Sequence, residues 1–205
     1  MLKTTIDRVA QPAKPLILLG ILKGYVSHPL LVMVQLPKYM RMYKKQLPAS
    51  YPRDFVQVVV LMAALYTIFR KKHDRETAFS MVAALILPLG LSVQMANFRY
   101  VEAERTMEHL IAYQQRTNRE GPTKLNTMEI ITQGSGCYEF KVHNCMFMEA
   151  FSQLGMPELT RVMCAVDNAV FNTYLPEKIV FHRNGVGNRI VDGAPYCSFV
   201  CERKG

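Results

Sequence analysis

The chain has 205 residues, half of them hydrophobic and a fifth charged, with a formal net charge of +9. That suits one large domain or two small ones sharing a core, on the hydrophobic side of globular. Residues 1–75 carry thirteen Lys/Arg against three Asp, for +10, while residues 76–205 come to −1, so any anionic partner belongs to the first third.

The first ~118 residues read as helices punctuated by prolines. Pro12, Pro15 and Pro29 limit the N-terminal stretch to short helices, and Leu30–Gln46 forms the next, kinked or split at Pro37. After a turn at Pro48 and Pro52, Arg53–Lys72 and Arg75–Leu87 form an antiparallel pair joined at His73-Asp74. Leu91–Thr117 completes the bundle, with a polar second half from Glu102-Ala103-Glu104-Arg105 onward. Thr117–Thr123, containing Gly121-Pro122, is the best boundary in the chain.

Beyond it the period changes. Thr127–Gln133 and Cys137–His143 flank Gly134-Ser135-Gly136, a hairpin signal. Phe147–Leu154 is a short helix closed by Gly155, and Pro157 opens another that runs to about Tyr174. Lys178–Arg183 and Pro195–Glu202 are β-like, with a glycine-rich connection between them. The expected fold is α+β: a helical bundle over residues 1–118, then a small antiparallel sheet (ββααββ) packed with helices over 124–205.

Thr77–Phe98 runs without a charge and is long enough to span a bilayer, but Pro88, Gly90 and four polar residues interrupt it. A central helix of a soluble bundle carries the same signal. The basic runs Lys38–Lys45 and Arg70-Lys71-Lys72 suit helix C-termini, or weak contact with an anionic membrane surface. No zinc finger or RNP strand is present, so nucleic acid is not an expected partner. Five cysteines without a CxxC pair or a secretory signal read as reduced thiols in a cytoplasmic protein.

No P-loop, GxGxxG, HExxH or GxSxG motif occurs. The chemistry-bearing residues gather in the last third. Cys145 lies at a strand-to-helix junction, where unpaired N–H groups and the helix dipole lower a thiol pKa; His143 stands two residues before it. Cys164 and Asp167 share one face of the helix opened by Pro157, and the other neighbours of Asp167 there are apolar. His182-Arg183 ends one strand and Cys197 begins the next, with Cys201 on the same face as Cys197. The cysteine spacing has no zinc-finger regularity, so neither a metal nor a cofactor is expected.

Three segments here carry a family resemblance. Tyr138–Phe151, ending a strand in Cys145 and entering a Glu149-Ala150-Phe151 helix, is one. Leu154-Gly155-Met156-Pro157-Glu158-Leu159 followed by Cys164 and Asp167 is the second, and Asp192-Gly193-Ala194-Pro195-Tyr196-Cys197-Ser198-Phe199 the third. Together they resemble the L-2-amino-thiazoline-4-carboxylic acid hydrolase family. More faintly, Met62–Tyr66 with Glu76-Thr77-Ala78 resembles that family's helical half.

The resemblance implies a hydrolase acting on carbon–nitrogen bonds of a small cyclic amidine, opening 2-amino-thiazoline-4-carboxylate to a carbamoyl-cysteine. It supplies positions, to which chemistry suggests roles: Asp167 as base or amidinium partner, Cys145 as nucleophile or acid, Cys164 and Cys197 lining the pocket. Arg183 would clamp the substrate carboxylate, with His143, His182 and Tyr196 as further substrate-binding residues. Two departures fall near the expected site: the family's His-Cys-Asp is here Tyr196-Cys197-Ser198, and its strand becomes the looser Arg183–Arg189. A last strand with Gly…Cys-x-Phe is also similar to 4-vinyl-reductase-type ligand-binding domains. A non-catalytic small-molecule binder and a membrane-surface protein are the alternative readings.

Overall fold

The computed structural model describes residues 14–101, 105–120, 123–185 and 187–205, with side chains at 14–17 and 96–101 left aside. The features expected at Pro12, Glu102-Ala103-Glu104 and Gly121-Pro122 lie outside the described residues. Among the described residues, seven α-helices and one four-stranded antiparallel sheet make an α+β protein. The described residues divide into two compact units, 14–93 with 149–166 and 94–148 with 167–205. Each therefore takes segments from either side of the linker that follows residue 118.

The first unit is helical. Helix α1 (Lys14–Leu22) has Pro15 in its first turn, and α2 (Pro29–Lys44) starts on a proline, where no N–H is needed. Pro37 does not split α2; its ring is exposed, and Arg41 Nε donates to its carbonyl at 3.1 Å. Helix α3 (Arg53–Arg70) is buried nearly all round, from Phe55 and Val56 to Ile68 and Phe69, and is the centre of this unit.

Helix α4 (Arg75–Val101) begins where Asp74 accepts from the Thr77 backbone N–H at 2.8 Å and from its hydroxyl at 2.9 Å. Those two bonds hold the Asp74 carboxyl below its usual range. The expected break at Pro88 does not occur. Pro88 is exposed and α4 runs through it, so one helix replaces the anticipated Arg75–Leu87 and the start of Leu91–Thr117. Over Arg75–Met95 it is long and apolar enough, by length and composition, to cross a membrane.

The segment 149–166 is held by polar contacts. Tyr66 Oη donates to Glu158 Oε1 at 2.7 Å and Arg75 Nε donates to the same oxygen at 3.0 Å. Gln153 Nε2 donates to the Gln46 carbonyl at 2.6 Å. The segment contains most of α6 (Met146–Gln153), a 3-10 turn (Pro157–Leu159) and the start of α7 (Thr160–Tyr174). Gly155, at φ 71°, supplies the left-handed residue that ends α6.

The second unit is built on the sheet, in the order β1-β2-β4-β3. Strands β1 (Met128–Gln133) and β2 (Cys137–Val142) form the expected hairpin, with a register shift between Ile130 and Thr132. Strand β4 (Cys197–Arg203) lies between β2 and β3 (Ile179–His182), and its first five residues are buried on both faces. The register puts Tyr138, Phe140, Val142, Phe181, Cys197, Phe199 and Cys201 on one face. Phe171 of α7 packs there, 4.8 Å from the Phe181 ring and 5.6 Å from that of Phe199. Helix α5 (Met107–Glu120) joins this unit: Arg105 Nη1 donates to the Tyr174 carbonyl, and Tyr174 Oη to that of Thr106, both at 3.2 Å.

Gly90 of α4 has a packing reason. A Cβ built there would stand 2.9 Å and 3.0 Å from the two Val166 methyls. Val166 is β-branched and stiff within α7, so it cannot swing aside. Gly90→Ala should therefore destabilise by about 1–2 kcal/mol, although alanine is ordinarily the better helix former. Thermal unfolding checks this: Tm should fall in Gly90→Ala and recover when Val166→Ala is added. An unchanged Tm in the single variant would remove the argument.

Candidate active site

Arg183 follows β3 on the same face as Phe181 and is 8% exposed, although it carries a full charge. Its guanidinium carbon sits 4.1 Å above the Phe199 ring and 5.5 Å from that of Phe181. Nε donates to Asn168 Oδ1 at 2.8 Å and Nη1 to the Ser198 carbonyl at 3.4 Å. Nη2 makes no hydrogen bond, and Asp167 Oδ2 lies 3.8 Å from it, an ion pair outside hydrogen-bond range. A buried charged donor is therefore left unmet.

Asp167 is the second member. Its side chain keeps 47% of its surface accessible. Burial pushes its carboxyl up to about 6, against the downward pull of Arg183. Cys145 is close enough to Asp167 and Cys197 to feel both. Its sulfur does accept from the first N–H groups of α6, those of Phe147 and Met148, as the strand-to-helix position predicts. Burial outweighs them, however, and pushes the thiol up to about 11, so the expected lowering is not the net result.

Cys197 is buried and accepts from the Ile190 N–H at 3.2 Å; burial raises its thiol too. Cys145, Asp167, Arg183 and Cys197 are thus brought together on one face of the sheet. Cys164 is buried in the helical unit, one turn before Asp167 along α7. His143 and Tyr196 lie across the sheet from Cys197. Their rings are 5.9 Å apart, Lys141 Nζ is 4.5 Å from the Tyr196 ring, and His143 Nε2 meets Glu129 Oε2 at 2.7 Å. The Ser198 side chain shares that opposite face, and only its carbonyl reaches Arg183. The two departures at Tyr196 and Ser198 are therefore not side-chain changes within the Arg183 cluster.

Beside Arg183 opens a cavity of about 340 Å³, walled by Asn168, Asn172, His182, Gly185, Asn188 and Arg189 among others. The asparagines were not singled out from the sequence. Asn168 and Asn172 are spaced i, i+4 on α7, a signal that was available. The segment after β3 contributes Arg183, Gly185, Gly187, Asn188 and Arg189 to the wall. It turns through positive φ at Asn184 (54°), Gly185 (109°) and Gly187 (80°). Asn188 Nδ2 pins the turn by donating to the carbonyls of Arg183, at 3.1 Å, and Asn184. Among the described residues no three His, Cys, Asp or Glu side chains converge to hold a metal ion.

The model of the L-2-amino-thiazoline-4-carboxylic acid hydrolase family matches residues 55–200, through both units. The chain belongs to that family. A hydrolase is what the family name suggests, and Cys145, Asp167, Arg183 and Cys197 of this family member all lie within the matched range. No curated protein matches the chain. Two solved structures of the Fe(II) unliganded H-NOX protein from K. algicida, the second a point mutant, align at TM-score 0.37 and 7% identity. The first covers 94% of this chain and 95% of that one, the second 92% and 94%. A likeness at that level carries no argument.

At pH 8 a thiol titrating near 11 is ionised in about one molecule in a thousand. Alkylation of Cys145 by iodoacetamide, followed by peptide mass spectrometry, should therefore accelerate about tenfold per pH unit through pH 9 and beyond. A plateau below pH 9 would mean that the helix terminus prevails over burial.

Proposed function

We propose that this family member hydrolyses a small cyclic amidine bearing a carboxylate, of the 2-amino-thiazoline-4-carboxylate type, at the Asp167–Arg183 site. The observation that carries the reading is the unmet Nη2 donor of a buried arginine 3.8 Å from the Asp167 carboxylate, a carboxyl that burial pushes up to about 6. A guanidinium fork suits a substrate carboxylate, and such an anion supplies the acceptor that Nη2 lacks. Asp167, ionised at neutral pH yet basic for an aspartate, takes the proton of an attacking water.

Water adds to the amidine carbon between sulfur and the two nitrogens. The tetrahedral adduct collapses with rupture of the ring C–S bond, because a thiolate leaves more readily than a nitrogen anion. This substrate therefore opens at C–S and not at the carbon–nitrogen bond the resemblance implies. The product keeps both nitrogens on the new carbonyl carbon as a carbamoyl-cysteine, and the sulfur takes a proton. Asp167 returns the proton taken from water to the departing sulfur, while Cys145, its thiol held protonated by burial, is not a nucleophile here. Water and substrate thus account for every product atom.

Release of thiol from L-2-amino-thiazoline-4-carboxylate by the purified protein tests the reading. Asp167→Asn should lower kcat by about 10²–10⁴-fold. Arg183→Lys, which keeps the charge but not the fork, should raise KM by about tenfold or more with a smaller effect on kcat. Because the base must be ionised, kcat/KM should rise with pH and level off above about 6. Full turnover in Asp167→Asn would overturn the assignment.

A second reading has one observation in its favour. Apart from His182, the cavity walls offer amides and arginines, not bases or nucleophiles. A non-catalytic binder of the same carboxylates would keep Arg183-dependent binding and give no thiol in the same assay.

A further inference from the structure

No Asp or Glu occurs between Asp7 and Asp54, and the helical unit concentrates its charge at one place. Helix α2 buries Val32, Leu36 and Tyr43 on its inward side. The opposite side carries Leu30, Leu31 and Val34, which are 66%, 57% and 77% exposed. Continuing along that side at helical spacing come Lys38, Arg41 and Lys45, all exposed. One face is thus apolar in its first two turns and cationic in its last two.

The end of α3 adds to the cationic half. Lys71 Nζ lies 4.8 Å from the Tyr39 ring and donates to Gln35 Oε1 at 3.1 Å, while Lys38 Nζ reaches the same ring at 5.9 Å. Arg70 and Lys72 flank Lys71 and are exposed. Apolar side chains this exposed are normally covered in service. Charge decides by what: a face with several cations and no acid among them repels its own copy and matches a negative surface.

We propose that this face docks on an anionic lipid bilayer, with Leu30, Leu31 and Val34 in the headgroup–acyl boundary and the cations of α2 and α3 at the lipid phosphates. The arrangement is that of an interfacial helix lying in the membrane plane. It is independent of the hydrolase reading, since none of these residues belongs to the Arg183 cluster.

The test is co-sedimentation of the full chain with vesicles of phosphatidylcholine alone, or with about one-third phosphatidylserine. Salt is set at about 0.1 M and about 1 M, where screening lengths are ~10 Å and ~3 Å. Binding is expected to the anionic vesicles and to collapse at high salt. Replacing Lys38, Arg41 and Lys45 by Gln should weaken it on the order of 100-fold. Leu31→Ser with Val34→Ser should weaken it as well, with circular dichroism unchanged in both variants. Salt-insensitive binding to neutral vesicles that both variants retain would mean insertion of another segment, α4 above all, and would overturn the proposal. So would absence of binding, or a dimer in size-exclusion chromatography that Leu31→Ser/Val34→Ser dissociates.

Discussion

The sheet unit depends on keeping one guanidinium charge out of water. Arg183 lies over Phe199, and that ring stacks on Phe140 at 4.6 Å with 10° between planes. Aromatic faces are good walls for a delocalised cation but do not replace the hydrogen bonds of water. Two of those bonds come from Asn168 and the Ser198 carbonyl, and the ion pair with Asp167 supplies the countercharge. β3, β4 and α7 must each hold position for this set to exist. The site and the core of this unit are therefore one object.

The same burial decides the cysteine chemistry. At Cys145 two influences oppose each other, a helix terminus that favours thiolate and a protein interior that favours thiol. Helix-terminus effects amount to about a kilocalorie and fall off within a turn, whereas desolvation acts on the whole charge. The interior prevails, with Cys145 pushed up to about 11 and Cys201, deeper still, to about 12. The cluster thus sets a carboxyl pushed up to about 6 beside thiols held neutral, and environment alone makes the difference.

Most of the element order was legible in the sequence because the changes of period are sharp and the turns carry glycine and proline. Gly134-Ser135-Gly136 and Gly155-Met156-Pro157 mark ends that the structure keeps. Pro37 and Pro88 misled, since a proline ring facing outward interrupts one backbone bond without ending the helix. Cys145, Asp167 and Arg183 were accessible from position and chemistry. Which face each side chain takes was not, because it depends on strand register, and one residue of shift inverts it. His143 and Tyr196, adjacent in sequence to inward-facing residues, point away for that reason.

This separates the ways in which the chain departs from its family's pattern. Tyr196 packs among Lys141 and His143 on the far face, and the Ser198 hydroxyl, buried without a partner, is there as well. What Ser198 gives Arg183 is a backbone carbonyl, which any residue provides. The Arg183–Arg189 segment is different. Its glycines and Asn184 take backbone angles that other residues resist, and the path they set walls the cavity beside the guanidinium. Changing that path reshapes the space next to the proposed carboxylate clamp while leaving Asp167, Asn168 and Phe199 where they are. Of these departures, the loop after Arg183 is the one that borders the cavity, and the two altered residues beside Cys197 do not.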